Sequence, residues 1–468
     1  MEKKQSRGSF TGRLGFVMAA AGSAVGLGNI WRFPYLAAKD GGGLFLLVYL
    51  ILALTFGFTL LITEIAIGRK TGLSPLVAYR KLNKKFGWVG VMACIIPALI
   101  LPYYCVIGGW VLKYLGVFVT GQGAAAAADG YFGGFIGDLW GPIIFFAVYL
   151  AATAWVVFKG VNKGIEKLSK VLMPILLVLI LGIAVYSVFL NHTDANGTTR
   201  TGLEGFKKYI IPSFDGMTLK QFLTVLTDAM GQLFYSISVA MGIMITYGSY
   251  VPKDTDLNKS VTQIEFFDTA VAFLAGMMVI PAVFTFMGTE GLNASGPSLM
   301  FVALPKVFTA MGPVVGTVVG ILFFVTVFFA ALTSSISIME AVVSCIMDRF
   351  RMERKKATLL VTLFGAVVGL IVCLGYNGLY FEASLPNGTK GQVLDILDYI
   401  SNYVLMPVVS IATCILVGWI AKPKMIIDEV TLGKFKFRRK ALYVVMVKYI
   451  TPVLLAFLLL QALGIVKF

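Results

Sequence analysis

Charge is scarce in this 468-residue chain: Asp, Glu, Lys and Arg together make up 13% of it, about half the share usual in a globular domain. Histidine is nearly absent. The single copy, His192, falls in a loop, so no nucleophile–base constellation can be assembled around it. The five cysteines, Cys94, Cys105, Cys345, Cys373 and Cys414, sit in or beside apolar runs and show neither metal-ligand nor disulfide spacing. A soluble enzyme, a disordered chain and a secreted disulfide scaffold are thereby excluded. What is present is apolar surface, 58% of residues, with a mean hydropathy of +0.87. The charge that remains is unbalanced, 39 basic against 23 acidic residues and a net of +16. In a soluble protein that excess would indicate nucleic acid; in a membrane protein it marks the loops on one side.

A spanning helix needs about 20 mainly apolar residues. The sequence offers eleven such stretches: 14–36, 43–68, 88–118, 141–158, 171–190, 221–249, 261–287, 313–346, 357–375, 394–420 and 442–465. They lack the roughly ten-residue alternation of outer-membrane strands. The charged N-terminus, followed by a long apolar run, does not read as a cleavable signal. The expectation is an all-α membrane protein. Six segments that alternate onto one face carry 29 of the 39 Lys and Arg residues. Four are in the N-terminus (Lys3, Lys4, Arg7, Arg13), six in 69–85, four in 159–170, two in 253–259, five in 349–356 and eight in 422–448. The positive-inside rule makes that face cytoplasmic, with the N-terminus inside and, for an odd number of spans, the C-terminus outside. The opposite loops, 191–220, 288–312 and 376–393, are longer and more polar.

Two of the apolar runs are interrupted. In the first, Ala21-Gly22-Ser23-Ala24-Val25-Gly26-Leu27-Gly28-Asn29 brings three glycines within one short stretch, each weakening a helix by about 1 kcal/mol. In the sixth, Tyr235-Ser236-Ile237-Ser238-Val239-Ala240-Met241-Gly242 is small and polar inside an apolar run. Small residues also serve helix packing. Positions one and six are equivalent, however, if spans 1–5 and 6–10 are repeats, and paired interruptions of that kind point to a transporter's binding site. Amides freed at a half-helix N-terminus favour a carboxylate. Freed carbonyls, with Asn and Ser oxygens, suit a hard cation such as sodium.

The stretch Gly22-Ser23-Ala24-Val25-Gly26-Leu27-Gly28-Asn29-Ile30-Trp31-Arg32-Phe33-Pro34, with Asp40-Gly41-Gly42-Gly43 after it, resembles the neurotransmitter:sodium symporter family. The resemblance continues through Gly231-Gln232-Leu233-Phe234-Tyr235-Ser236, Ile245-Thr246-Tyr247-Gly248-Ser249-Tyr250 and Leu332-Thr333-Ser334-Ser335, and covers essentially the whole chain. It implies an inverted five-plus-five repeat with helices 1 and 6 broken, as in the bacterial leucine transporter that typifies this architecture. Eleven spans would match the family's shorter bacterial members. The chain then divides into a cytoplasmic segment 1–12, a first repeat 13–190, an extracellular loop 191–220, a second repeat 221–420, a cytoplasmic loop 421–441 and an eleventh helix 442–468.

The resemblance further implies two sodium ions. One would be held by the carbonyls of Gly22, Val25 and Ala330 and the hydroxyls of Thr333 and Ser334. The spacing i, i+3, i+4 of Ala330, Thr333 and Ser334 puts them on one helix face, whereas Ser335 and Ser337 can equally bond back to their own helix. The other ion would use the Ala24 carbonyl, Asn29, Ser236, residue 268 and the substrate carboxylate. The commonest family pattern has Asn at that last position; this chain has Asp268. An acid at the bilayer centre costs about 2.5–3.5 kcal/mol on insertion scales. Many relatives hold chloride nearby, at positions matching Tyr49, Gln232 and Ser236, while Ala272 stands where chloride-independent relatives carry an acid. The expectation is that Asp268 supplies the negative charge itself and no chloride is needed.

Carried over position by position, the substrate pocket is Ala24, Gly26, Gly28, Ile100, Tyr104, Tyr235, Ser236, Ser238, Met241, Ser334 and Ile338. Relatives that carry amines without a carboxylate tend to have Asp where this chain has Gly26, so the substrate brings its own carboxylate, which Tyr104 would bond. Ile100, Tyr235, Met241 and Ile338 make an apolar wall. Met241 either admits a larger ring or simply fills the core. Arg32 and Asp398 would close the outer path above a Tyr104–Tyr235 lid, and Arg7 and Asp348, with Tyr247 nearby, the inner one. Phe10 replaces the family's usual Trp three residues after Arg7, which predicts a looser inner closure. Glu64 reads as structural, and Glu340 has no assigned role.

The function expected is sodium-coupled import of hydrophobic or aromatic L-amino acids by alternating access across the inner (plasma) membrane. The lipid bilayer is its environment; neither nucleic acid, a protein partner nor catalysis is expected. The alternatives are symport of small neutral amino acids such as alanine, or a transporter-like nutrient sensor. A channel is disfavoured because no ring of charged or carbonyl-rich filter residues is seen.

Overall fold

The computed structural model describes residues 8–194, 196–214 and 217–466. Backbone amides and carbonyls facing lipid have no water to bond and must satisfy one another within a helix or a closed barrel; here they do so in helices. Among the described residues, nine helices are long and apolar enough to cross a bilayer. They are Gly43–Thr71, Lys84–Val119, Trp140–Phe158, Val161–Val188, Leu257–Gly291, Pro313–Phe350, Arg354–Leu374, Val393–Ile420 and Lys440–Ala462. A tenth crossing consists of two helices, Arg13–Ala24 and Gly28–Lys39, bent by 53° where they meet. The count stops short of the expected eleven because stretch 221–249 is not one helix. It is Leu219–Ser236 and Ile243–Gly248 with 237–242 between them. The first piece carries too many polar residues, and the second is too short, to count by itself.

Both interruptions are local backbone events. After Ala24 the chain turns extended at Val25 (φ −73°, ψ 101°), and helical bonding resumes only from Gly28. In the second interruption Ser238, Ala240 and Gly242 adopt φ of 55°, 66° and 71°. Positive φ is uncommon for a side-chain-bearing residue and must be held by its surroundings. Glu64 does part of this, its Oε1 accepting the Ala240 amide at 2.6 Å. The Ser238 hydroxyl does the rest, donating to the Ser23 carbonyl at 2.9 Å. The two interruptions thereby hold each other.

Close helix contact is made through glycine. A side chain on Gly68 would run into the Ile245 carbonyl, and one on Gly248 into that of Ile65, so Gly43–Thr71 and Ile243–Gly248 approach backbone to backbone. On the polar side of the molecule, loop 191–220 holds a hairpin pairing Asn191–Thr193 with Thr199–Thr201. The helix Gly202–Ile210 follows, opened by a Thr201/Glu204 capping box. His192 lies in this hairpin, its ring 4.8 Å from that of Phe286.

On the basic side, a buried ion-pair cluster fastens the loop before Lys440–Ala462 to the end of Gly43–Thr71. Arg69 Nε donates to Glu429 Oε1 at 2.8 Å and Arg69 Nη1 to the Thr255 carbonyl at 2.6 Å, while Nη2 donates to the Glu429 carbonyl. Lys253 Nζ reaches the same Glu429 oxygen at 2.9 Å, but its side chain is 56% exposed against 0% for Arg69. Removing one member of a buried pair strands the other charge at a cost of about 3–5 kcal/mol, whereas an exposed partner contributes about 1 kcal/mol or less. Arg69→Ala should therefore lower the melting temperature of the detergent-purified protein by several degrees, and Lys253→Ala by far less. Equal shifts would show that the cluster is not held by Arg69.

Candidate functional site

All eleven residues named for the pocket line one small cavity of about 30 Å³ between the two interruptions, together with Ser23, Leu27 and Asn29. Its lining residues Ile100 and Tyr104 come from Lys84–Val119, and Ser334 and Ile338 from Pro313–Phe350. Leu27 N donates to Tyr104 Oη at 3.4 Å. The glycines leave room for these side chains. A Cβ on Gly26 would lie 2.9 Å from Ser334 Oγ and 3.0 Å from Tyr104 Oη, and one on Gly28 would lie 2.9 Å from the Tyr235 ring. No aspartate fits at position 26 while those side chains keep their places.

Ser334 is where the first interruption delivers its carbonyls. Its hydroxyl lies 3.4 Å from the Gly22 oxygen, 3.1 Å from that of Ser23 and 3.2 Å from that of Val25. A hydroxyl has one proton to give, so three carbonyl oxygens crowd one donor. An all-oxygen cluster of this kind suits a hard cation. Thr333 lies beside it, but its hydroxyl bonds back to Phe329 O at 2.9 Å and Ala330 O at 3.1 Å. Ser335 and Ser337 also bond back, to Leu332 O and Thr333 O. Sequence reasoning passed over Ser23, although its place between Gly22 and Ala24 in the glycine-rich stretch was the available signal.

The second group of oxygens gathers on Asp268, which is fully buried. Its Oδ1 accepts from Ser236 Oγ at 2.7 Å and Asn29 Nδ2 at 2.9 Å, and its Oδ2 from Tyr49 Oη at 3.4 Å. Asn29 Oδ1 in turn accepts from Ser236 Oγ at 3.2 Å and the Gly26 amide at 3.1 Å. Two of the three residues matched to a chloride position, Tyr49 and Ser236, thus already bond a carboxylate. The third, Gln232, donates to the Gly28 carbonyl at 3.0 Å. Ala24 lines the adjoining cavity.

The outer pair is not closed. Asp398 Oδ1 accepts from Tyr103 Oη at 3.0 Å and Asn402 Nδ2 at 2.5 Å, and Arg32 lies 5.8 Å from the centre of the Tyr403 ring. No ion pair within 4.0 Å joins Arg32 to Asp398; the carboxylate is bonded instead by Tyr103 and Asn402. Above them lies an open cavity of about 440 Å³ lined by Arg32, Asp228, Asn402 and Tyr403. Tyr235 lines both this cavity and the small one below, so its ring separates them.

The inner side is tightly packed. Phe10 is 1% exposed, with its ring 5.6 Å from Tyr247, 5.6 Å from Phe16 and 6.2 Å from Tyr250. The aromatic body of Phe10 is thus packed among these rings, and its backbone amide donates to Tyr250 O at 3.1 Å. Tyr247 Oη donates to Ser337 at 2.7 Å, and Asp348 Oδ2 accepts the Ser74 amide at 2.7 Å. Arg7 lies outside the described residues. Glu340 acquires partners that the sequence did not reveal: Arg354 at 2.5 and 2.8 Å and Tyr250 Oη at 2.7 Å.

The family model described as the sodium:neurotransmitter symporter family matches residues 7–126 and 137–468. An uncharacterized sodium-dependent transporter of Bacillus subtilis is 34% identical across 97% of this chain and 98% of its own. Human sodium- and chloride-dependent GABA transporter 2 is 25% identical across 92% of this chain and 76% of its own. Among solved structures, MhsT in complex with L-phenylalanine matches with a TM-score of 0.84 at 34% identity, over 98% of this chain and 100% of that one.

If the carbonyls around Ser334 form a cation site, Ser334→Ala should raise the sodium concentration needed for half-maximal protection against thermal unfolding by about tenfold, the loss of one good oxygen ligand. Potassium serves as the control ion. An unchanged sodium midpoint would remove Ser334 from the site.

Proposed function

This chain belongs to the sodium:neurotransmitter symporter family and is a multi-pass, sodium-dependent secondary transporter, not an enzyme, and we propose that it imports hydrophobic or aromatic L-amino acids with two sodium ions and without chloride. The observation that carries this reading is one small cavity flanked by two oxygen clusters, the carbonyls on Ser334 and the carboxylate of Asp268. The substrate carboxylate would meet Tyr104 and the freed amides near Gly26, and its side chain the wall of Ile100, Tyr235, Met241 and Ile338. One sodium would lie among Gly22, Val25, Ala330, Thr333 and Ser334. The other would lie among Ala24, Asn29, Ser236, Asp268 and the bound carboxylate. That MhsT was crystallised with L-phenylalanine supports an aromatic substrate.

Transport would proceed by rocking of a bundle of two helix pairs against a scaffold around this site. The basic residues of alternate loops support a plasma-membrane protein with the N-terminus cytoplasmic and the C-terminus extracellular. Arg32 and Asp398 would draw together as the outer path closes, and Arg7 and Asp348 would part as the inner one opens. The small volume of the cavity favours a second reading, small neutral amino acids such as alanine.

A panel of tritiated L-amino acids offered to proteoliposomes under an inward sodium gradient separates the two. Phe, Tyr, Trp or Leu should be taken up best, and the uptake should vanish when potassium replaces sodium. Glycine or alanine as the best substrate would defeat the aromatic reading, and saturable binding without uptake would indicate a sensor.

Among the described residues Asp268 has no basic partner, and it takes the donors that would otherwise face an anion. Its negative charge can balance a nearby sodium. Replacing chloride with gluconate should leave wild-type uptake unchanged, and Asp268→Asn should make the residual uptake chloride-dependent. Collapse of wild-type uptake in gluconate would overturn chloride independence.

A further inference from the structure

A cleft of about 660 Å³ opens on the basic face of the molecule, between the start of Leu257–Gly291 and the loop leading into Lys440–Ala462. Its walls carry Lys259, Lys434, Lys436, Arg438 and Arg439 against a single carboxylate, Asp256. Two of these charges are already engaged. Arg439 bonds Glu265 at 3.0 and 3.1 Å, donates to the Leu54 carbonyl at 3.2 Å and lies 4.4 Å over the Phe58 ring. Asp256 Oδ1 caps its helix by accepting the Lys259 amide at 3.0 Å. The ammonium groups of Lys259, Lys434 and Lys436 and the guanidinium of Arg438 make no ion pair or side-chain hydrogen bond among the described residues.

An unpaired basic run on an open surface is ordinarily a solvated face. This one lines a concavity, and the helix that forms one wall carries exposed apolar side chains just beyond it. Lys259, Thr262, Gln263 and Phe266 are spaced i, i+3, i+4, i+7, a single helix stripe. The first three line the cleft, and Phe266, next along the stripe, is 68% exposed. A cationic pocket therefore passes within about two helical turns into an apolar lane. A free phosphate would leave the lane unused, and an apolar ligand would leave the cations unpaired. One ligand uses both: an anionic headgroup carrying acyl chains. Basic pockets between membrane helices are known to hold such headgroups. We propose that this cleft binds the headgroup of an anionic phospholipid, with its acyl chains lying along Phe266.

Native mass spectrometry of the detergent-purified full chain, titrated with phosphatidylglycerol and separately with phosphatidylcholine, tests this without reference to transport. Phosphatidylglycerol should bind in preference. The triple variant K434Q/K436Q/R438Q should weaken that binding by roughly a hundredfold, at about fivefold per charge. Thr262→Trp, which fills the cleft and leaves every charge in place, should weaken it as well. The triple K84Q/K85Q/K356Q removes as much charge from the same face away from the cleft and should change little. An unchanged sodium-protected melting curve shows that each variant is folded. The proposal is overturned if the two triples behave alike, if Thr262→Trp binds as the wild type does, if phosphatidylcholine binds as tightly, or if inorganic phosphate displaces the lipid.

Discussion

Carbonyl oxygens released at the first break, those of Gly22, Ser23 and Val25, all face the hydroxyl of Ser334. The rest of the site depends on this convergence. A continuous helix would have used these oxygens internally and left nothing polar at mid-membrane. The glycines make the break tolerable. Ser238, bonded to the Ser23 carbonyl, ties it to the second break, and Glu64 holds the second break in its positive-φ conformation through the Ala240 amide. Loosening any of these contacts would move the oxygens together, because each interruption is held by the other.

Asp268 supplies the second constraint. A buried carboxylate is costly unless several donors meet it, and Ser236, Asn29 and Tyr49 do so from three different helices. The acid thereby joins the first span, the second and the piece ending at Ser236 into one unit around the cavity. Beyond it, the two faces of the molecule differ. The inner face is packed by the Phe10 aromatic cluster and the Glu340–Arg354 pair. The outer face leaves an open cavity over Tyr235. Among the described residues the inner side is therefore packed, while the outer side is open down to the tyrosine.

Much of this was legible in the sequence for a specific reason: a helix interrupted in lipid must have a cause. The glycine-rich stretch and the Ser236–Gly242 stretch located both breaks, and the residues singled out around them line one cavity. Side-chain pairs between distant segments were less legible. Glu340 with Arg354, Arg69 with Glu429, and Tyr103 with Asp398 are each made by groups whose partners no local spacing announces. Arg32 and Asp398 were singled out as charges within apolar runs. Whether they touch depends on the conformation, and sequence carries no information on that.

The sequence by itself determined the membrane class, the helical architecture and the places where helices fail, because hydropathy, charge asymmetry and glycine act locally. Only the tertiary structure decided which oxygens share a cluster, that Asp398 bonds Tyr103 while Arg32 faces Tyr403, and that Glu340 pairs with Arg354. Those outcomes are set by the approach of backbones far apart in the chain, at Gly68 against Ile245 and Gly248 against Ile65. The fold brings such contacts together; no stretch of the chain contains them.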